Sequence, residues 1–288
     1  MKLNNDNKTV HGLWIGSTLS SLELLTIQSF IDNGHEFHLW LYYQMATPLP
    51  SGTVVKDARN VLPSERIFRY KYSDQFGHGK GSLAGFSDIF RYKLLHDYGG
   101  WWVDMDVTCL KPLDFPSTYV FRPHHDMPVV GNIMKCPPRS ELMQYCYERA
   151  FREVDENNRD WHLPIQILND GIEQMGLSGY IRNITNPESW YENRKMIIGK
   201  IDIPENWYAI HWINEEWRRN GINKNYALEG STLHHLFLQH KLDPGKLTLP
   251  QKILTWYRLK IPIPMVMRLG MIQWLCKKWC KKTSQHCK

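Results

Sequence analysis

Nothing in this chain is apolar for long enough to cross a bilayer. The charge-free runs near the C-terminus, Ile261 to Met267 and Leu269 to Cys276, fall well short of the roughly 20 apolar residues a membrane helix requires. The opening residues, Met1 to Thr9, are polar and lack the apolar core of a secretory signal. Cysteine is sparse, and the six cysteines match neither a zinc ribbon nor a small secreted framework, so reduced thiols are expected. Acid is missing from the last stretch: Arg268 to Lys288 holds six Lys or Arg and no Asp or Glu. Removing those six from the 35 basic residues leaves 29, equal to the 29 acidic ones. The body is therefore formally neutral, which argues against a nucleic-acid-binding surface.

What is present is an ordinary globular composition. Apolar residues make up 42% and charged residues 22% of 288 positions, enough to bury a substantial core and too apolar for a disordered chain. Val10 to Ile15 reads as a strand. Ser20 then opens a helical pattern (Leu22, Leu25, Ile27, Phe30) ending near Asn33-Gly34, and Phe37, Leu39 and Leu41 alternate as a second strand. Such strand–helix alternation predicts an α/β fold with a mostly parallel sheet. Ile67 to Tyr72 is read as a third strand. The loop from Ser73 to Ser82 carries Gly77, Gly79, Lys80 and Gly81, but a phosphate-binding P-loop needs glycine where Asp74 stands.

Ser82 to Tyr98 follows with a buried helical stripe (Leu83, Phe86, Ile89, Phe90, Leu94, Leu95), stopped by Gly99-Gly100. Trp101 to Val103 reads as a strand with Asp104-Met105-Asp106 at its C-terminal end. Further strands are expected at Tyr119 to Arg122 and Val129 to Met134, and helices at Arg139 to Val154, Pro164 to Met175 and Leu228 to His240. Ile197 to Ile203 and Tyr208 to Ile210 read as extended. The expected organisation is one catalytic domain over residues 1–261 and an appendage over 262–288.

Asp104 and Asp106 are the sharpest chemical feature. Side chains two apart on a strand share a face, and ligands of open α/β sheets bind beyond the C-terminal strand ends. Two carboxylates so close repel unless a cation joins them, and their oxygens suit Mn²⁺ or Mg²⁺. A solvated Asp pair in a turn is the competing explanation for so short a motif. Asp88 and Arg91 lie three apart on the preceding helix, where an intrahelical ion pair is the simplest explanation. The combined string is more specific than its parts: Ser87-Asp88-Ile89-Phe90-Arg91, Tyr98-Gly99-Gly100, then Trp101-Trp102-Val103-Asp104-Met105-Asp106.

That string resembles the Asp-x-Asp glycosyltransferases that include fungal outer-chain mannosyltransferases, α-1,4-galactosyltransferases and bacterial capsular polysaccharide enzymes, with the large glucosylating toxins as distant relatives. The strand Val10-His11-Gly12-Leu13-Trp14-Ile15-Gly16 resembles that family's first strand. The resemblance implies a GT-A-like fold and retaining transfer of a sugar from a nucleotide donor, UDP-linked by expectation. It further implies that Asp106 binds the ion and that Asp104 contacts ribose and ion. Asp88 and Arg91 would hold donor-sugar hydroxyls, and Trp14 would stack on the base; Trp14 as a core aromatic is the alternative. His211, in Tyr208-Ala209-Ile210-His211-Trp212, corresponds to a histidine that completes the metal shell in related enzymes, and a hydrogen-bonded structural histidine is the competing reading. Asn132 falls where a polar group nears the sugar. Trp217 belongs to a closing element, although Asn214-Glu215-Glu216-Trp217 replaces the family's usual small-residue ending. His124, His125 and Asp126 read either as acceptor-site residues or as a polar loop.

In the tail, Met265, Leu269, Ile272, Cys276 and Trp279 recur at helical spacing, with Lys277, Lys278, Lys281 and Lys282 beyond. That pattern suits an anionic membrane surface, or else a helix docked on the domain. The expectation is a peripheral enzyme on the inner face of the cell membrane that extends a lipid-linked oligosaccharide in surface polysaccharide synthesis. A toxin-like transferase acting on a protein, and a non-catalytic carbohydrate- or membrane-binding module, are the alternatives.

Overall fold

A computed structural model of the chain describes residues 3–75, 77–124 and 126–259. The basic tail over 262–288 and His125 lie outside the described residues. Those described fall into two compact units, one of residues 1–189 with 202–213, the other of residues 190–201 with those from 214 onward.

The first unit opens with β1 (Thr9–Trp14), α1 (Ser21–Asp32) and β2 (Glu36–Leu41). Ser20 and Glu23 form a reciprocal cap at the start of α1, with the Ser20 amide donating to Glu23 Oε2 at 2.6 Å, which settles two of the orphan donors of a helix start. Next come β3 (Val54–Asp57), α2 (Ala84–Tyr98), β4 (Gly100–Val103), β5 (Val107–Cys109), β6 (Val120–Arg122) and β7 (Val130–Cys136). Helices α3 (Glu141–Glu153) and α4 (Leu163–Gln174) and strand β8 (Ala209–His211) complete it.

Six strands form one sheet in the order β3-β2-β1-β4-β7-β6. β3, β2, β1 and β4 run parallel to one another, and β7 is antiparallel to both β4 and β6. An α/β fold with a mostly parallel sheet and flanking helices is therefore observed, as expected. β5 and β8 form a separate antiparallel pair. The core has two layers because side chains alternate along a strand. Trp102 joins Phe86, Phe90, Leu142 and Leu168 in one cluster, while Trp101 and Val103 join Phe30, Phe37 and Leu39 in the other. Gly99 ends α2 at φ +66°, and a Cβ there would stand 2.5 Å from Pro138. Only glycine lets the chain turn from α2 into β4 at this spot.

Two expectations are corrected. The third strand is Val54–Asp57, which pairs with β2 from His38 to Leu41. Ile67 to Tyr72 instead makes isolated backbone bonds, Tyr70 N to Ser82 O at 3.0 Å and Lys71 N to Glu156 O at 2.8 Å, because its apolar side chains pack on the α2 face without a partner strand. Ile197 is not extended; it lies in the last turn of a helix.

That helix, α5 (Trp190–Ile198), belongs to the second unit, with α6 (Asn214–Asn220), α7 (Thr232–Gln239) and α8 (Leu249–Arg258). α5 and α7 are joined where Thr232 N donates to Gly199 O at 3.0 Å. No helix of the described residues is long and apolar enough to cross a membrane. The three described cysteines, Cys109, Cys136 and Cys146, are free and buried.

Candidate functional site

β4 delivers Asp104 to the C-terminal end of the parallel strands, where its amide donates to Asn132 O at 2.9 Å. Arg91, on α2, reaches this point from behind. Its guanidinium forks, with Nη1 3.0 Å from Asp88 Oδ1 and Nη2 2.8 Å from Asp104 Oδ1, and it lies over the Trp102 ring at 5.1 Å. Trp102 Nε1 donates to the same Asp104 oxygen at 2.8 Å. A Cβ on Gly131 would come within 2.3 Å of Arg91 Nη1, so glycine in β7 is what admits the fork. The helical ion pair expected between Asp88 and Arg91 exists, and Asp104 shares it.

His211 arrives from the other direction. β8 pairs with β5 in the register Val107↔His211, and Trp212 N donates to Asp106 O at 2.9 Å. This two-strand ladder, rather than the main sheet, sets His211 beside the acids. Nε2 of His211 is 3.3 Å from Asp106 Oδ2. Asp104, Asp106 and His211 each offer a ligand atom within a span of 4.8 Å.

Beyond His211 lies a network of Glu188, Arg122, Thr185, Asn186 and Asn132, of which only Asn132 was expected from the sequence. Glu188 Oε1 sits 2.9 Å from His211 Nδ1, and Arg122 pairs with the other oxygen of Glu188. Arg122 also donates to Thr185 Oγ1, to Asn186 O at 2.7 Å and to Asn132 Oδ1 at 3.3 Å. Asn132 is brought into this network, with Nδ2 2.9 Å from His211 Nδ1. An arginine at the end of the wholly buried strand Val120–Arg122 was a usable signal, since unpaired arginine is seldom fully buried. Glu188, in a loop 66 residues from Arg122, gave none.

The electrostatics follow from this packing. Burial pushes the Asp88 carboxyl up to about 6 against the pull of Arg91. Lost solvation raises Asp104 as well, opposed by Arg91 and reinforced by Asp106. Burial would push His211 down, yet Glu188 and Asp106 on either side of the ring hold it up at about 10. Burial also works against the ionised form of Glu188, but His211 and Arg122 overcome it and hold the carboxyl well below its usual range.

The donor set suits a hard divalent ion. Nε2 of His211 and Oδ2 of Asp106 stand 3.3 Å apart, a separation that either a proton on the nitrogen or a cation between the two atoms accounts for. An octahedral ion at about 2.1 Å spreads its ligands over roughly 3 to 4 Å, close to the observed span.

The remaining candidates are placed as follows. Trp14, half-buried, ends β1 at the same edge of the sheet and donates Nε1 to Thr18 O at 2.9 Å. Trp217 is buried in the second unit beside Trp190, with ring centroids 6.5 Å apart. His124 Nδ1 accepts from the Asp126 amide at 3.0 Å in a local turn.

Residues 69–124 match the model of a family described as capsular polysaccharide synthesis protein, a segment that contains Asp88, Arg91, Asp104, Asp106 and Arg122. The expectation of a glycosyltransferase agrees with that match. No curated protein matches the chain in sequence. Among solved structures, the chain is similar to the PaToxG glycosyltransferase, with 13% identity over 88% of this chain and 84% of that one at a TM-score of 0.42. It is also similar to the apo form of the glycosyltransferase GlyE from Streptococcus pneumoniae TIGR4, with 11% identity over 90% of this chain and 65% of that one at a TM-score of 0.41.

Proposed function

We propose that this chain is a divalent-ion-dependent, retaining glycosyltransferase. It would take a hexose from a nucleotide-sugar donor, UDP-linked by expectation, and add it to a lipid-linked oligosaccharide in surface polysaccharide synthesis. The observation that carries this reading is the meeting of Asp104, Asp106 and His211 within 4.8 Å, beside the buried Asp88–Arg91 pair. Mn²⁺ or Mg²⁺ held by those three side chains would offset the negative charge that grows on the departing diphosphate.

The chain's own residues supply the rest. Arg91 and Trp102 both fix Oδ1 of Asp104, which sets the plane of the carboxylate before any ligand arrives. The Asp88–Arg91 fork offers a carboxylate and rigid donors to sugar hydroxyls or phosphate, a geometry that lysine lacks. Trp14 and Asn132 are assigned to donor binding in this reading, and the basic tail to an anionic membrane at the inner face of the cell.

Two experiments test the reading. Unfolding temperature is measured with Mn²⁺ alone, UDP or GDP alone, and each nucleotide with Mn²⁺. A rise that requires both metal and nucleotide is expected by linkage, and its absence would favour a non-catalytic module. Deleting residues 265–288 should release the protein from anionic vesicles, and undiminished binding would end the membrane assignment.

A further inference from the structure

Glu188 and Arg122 answer to no role in the function proposed above, although Arg122 is buried, Glu188 is half-buried and both belong to one network. The question is what the side chain of Glu188 does to His211. The imidazole Nδ1 lies 2.9 and 3.0 Å from the two oxygens of Glu188. An ionised carboxylate only accepts hydrogen bonds, so Nδ1 carries the proton. Asn132 Nδ2 stands 2.9 Å from the same nitrogen. Its orientation is fixed by Arg122, which donates to Oδ1 at 3.3 Å and turns the amide protons toward Glu188 Oε2, 3.5 Å away. The charged partner takes the Nδ1 proton, since charge-assisted bonds are roughly twice as strong as neutral ones. That leaves Nε2, 3.3 Å from Asp106 Oδ2, as the nitrogen placed to meet an ion held by the acidic pair.

We propose that Glu188, anchored by Arg122, is a positioning residue that fixes the tautomer and orientation of His211 so that Nε2 is presented to a divalent ion. The proposal rests on reading Asp104, Asp106 and His211 as the ion's ligands. Carboxylate–histidine pairs behind a metal raise ligand basicity and lock the ring, and losing the carboxylate costs roughly 10–100-fold in metal affinity. Arg122 keeps Glu188 from swinging into the site: it pairs with Glu188 and is itself tied to Thr185, Asn186 and Asn132.

The test is a double-mutant cycle read by Mn²⁺ binding without nucleotide, using electron paramagnetic resonance or calorimetry on the full chain. Glu188→Gln should weaken Mn²⁺ binding roughly 10–100-fold while far-UV and near-UV circular dichroism stay unchanged. In a His211→Ala background the same substitution should change the affinity no further, because Glu188 acts only through His211. Unchanged affinity in Glu188→Gln, or an equal loss with and without His211, would overturn the proposal. Should Glu188→Gln fail to fold, the unaltered protein decides: nitrogen-15 spectra of its histidines with Mg²⁺ should show His211 protonated at Nδ1 and bare at Nε2, and the opposite tautomer would refute it. Failure of the unaltered protein to bind Mn²⁺ at all would instead remove the ion reading, and this proposal with it.

Discussion

His35 and His211 are both buried, and their surroundings send them in opposite directions. His35 Nδ1 donates to Asn7 O at 2.9 Å and Nε2 accepts from the Leu113 amide at 3.0 Å. Two neutral backbone groups therefore hold a neutral ring, and burial lowers its pKa. His11 behaves alike: its Nδ1 accepts from Trp40 Nε1 at 3.1 Å, and burial brings it down to about 3. His211 has carboxylates where His35 has peptide groups, and is held up. The same contrast runs between the two ends of the sheet. At the N-terminal end of β1 and β4 a cavity of ≈ 580 Å³ is lined by His11, His38, Trp40, Tyr98 and Lys135 among others, and its histidines are satisfied as neutral groups. At the C-terminal end four carboxylates (Asp88, Asp104, Asp106 and Glu188) stand against two arginines and a histidine. The two ends of the sheet therefore differ in charge more than in shape, and clustered charges of this kind are a mark of functional sites.

This comparison breaks most directly at Asp106. Asp106→Asn removes one of the two charges flanking His211, and should abolish metal-dependent donor hydrolysis or transfer, a loss of about 100-fold or more, with the unfolding transition retained. Undiminished turnover in that variant would remove the metal mechanism. A subtler blow falls at Gly131. Gly131→Ala puts a methyl group 2.3 Å from Arg91 Nη1 and must shift the fork that orients Asp104. A displacement near 1 Å is worth roughly 100-fold in rate, so kcat is expected to fall by 10-fold or more, measured against an unchanged fold by circular dichroism.

The smallest effect is at the neutral end. The folded His11 pKa lies below its unfolded value, so the stability it contributes is complete above about 6.5 and drains away as pH falls toward about 3. Within that window each pH unit costs about 1.4 kcal/mol. His11→Gln should flatten the dependence of unfolding free energy on pH by about one proton between pH 6 and 4, as measured by urea titration. An unaltered slope would mean that His11 is not the buried neutral group described.

Much of the main sheet and the heart of the site was legible in the sequence, because their signals are local. Ser20 before the first helix, the Gly99-Gly100 break and the apolar run Trp101 to Val103 each sit within a few residues of what they specify. Val54–Asp57 escaped notice because a four-residue edge strand containing Lys and Asp carries little apolar pattern, whereas Ile67 to Tyr72 has the pattern and no partner. Ile197 is β-branched and apolar, yet tertiary context places it in α5, where propensity is a weak guide. Arg122 and Glu188 meet only through long-range folding, and no spacing in one chain announces such a pair.

The ladder between β5 and β8 also has a temporal meaning. Asp104 and Asp106 leave the ribosome about a hundred residues before His211, and their histidine partner is fixed by strand pairing with Val107 and by the Trp212 amide on Asp106. A nascent chain can therefore complete its parallel strands while its two acids still lack their histidine partner. The trio of Asp104, Asp106 and His211 closes as one of the last acts of synthesis of the first unit.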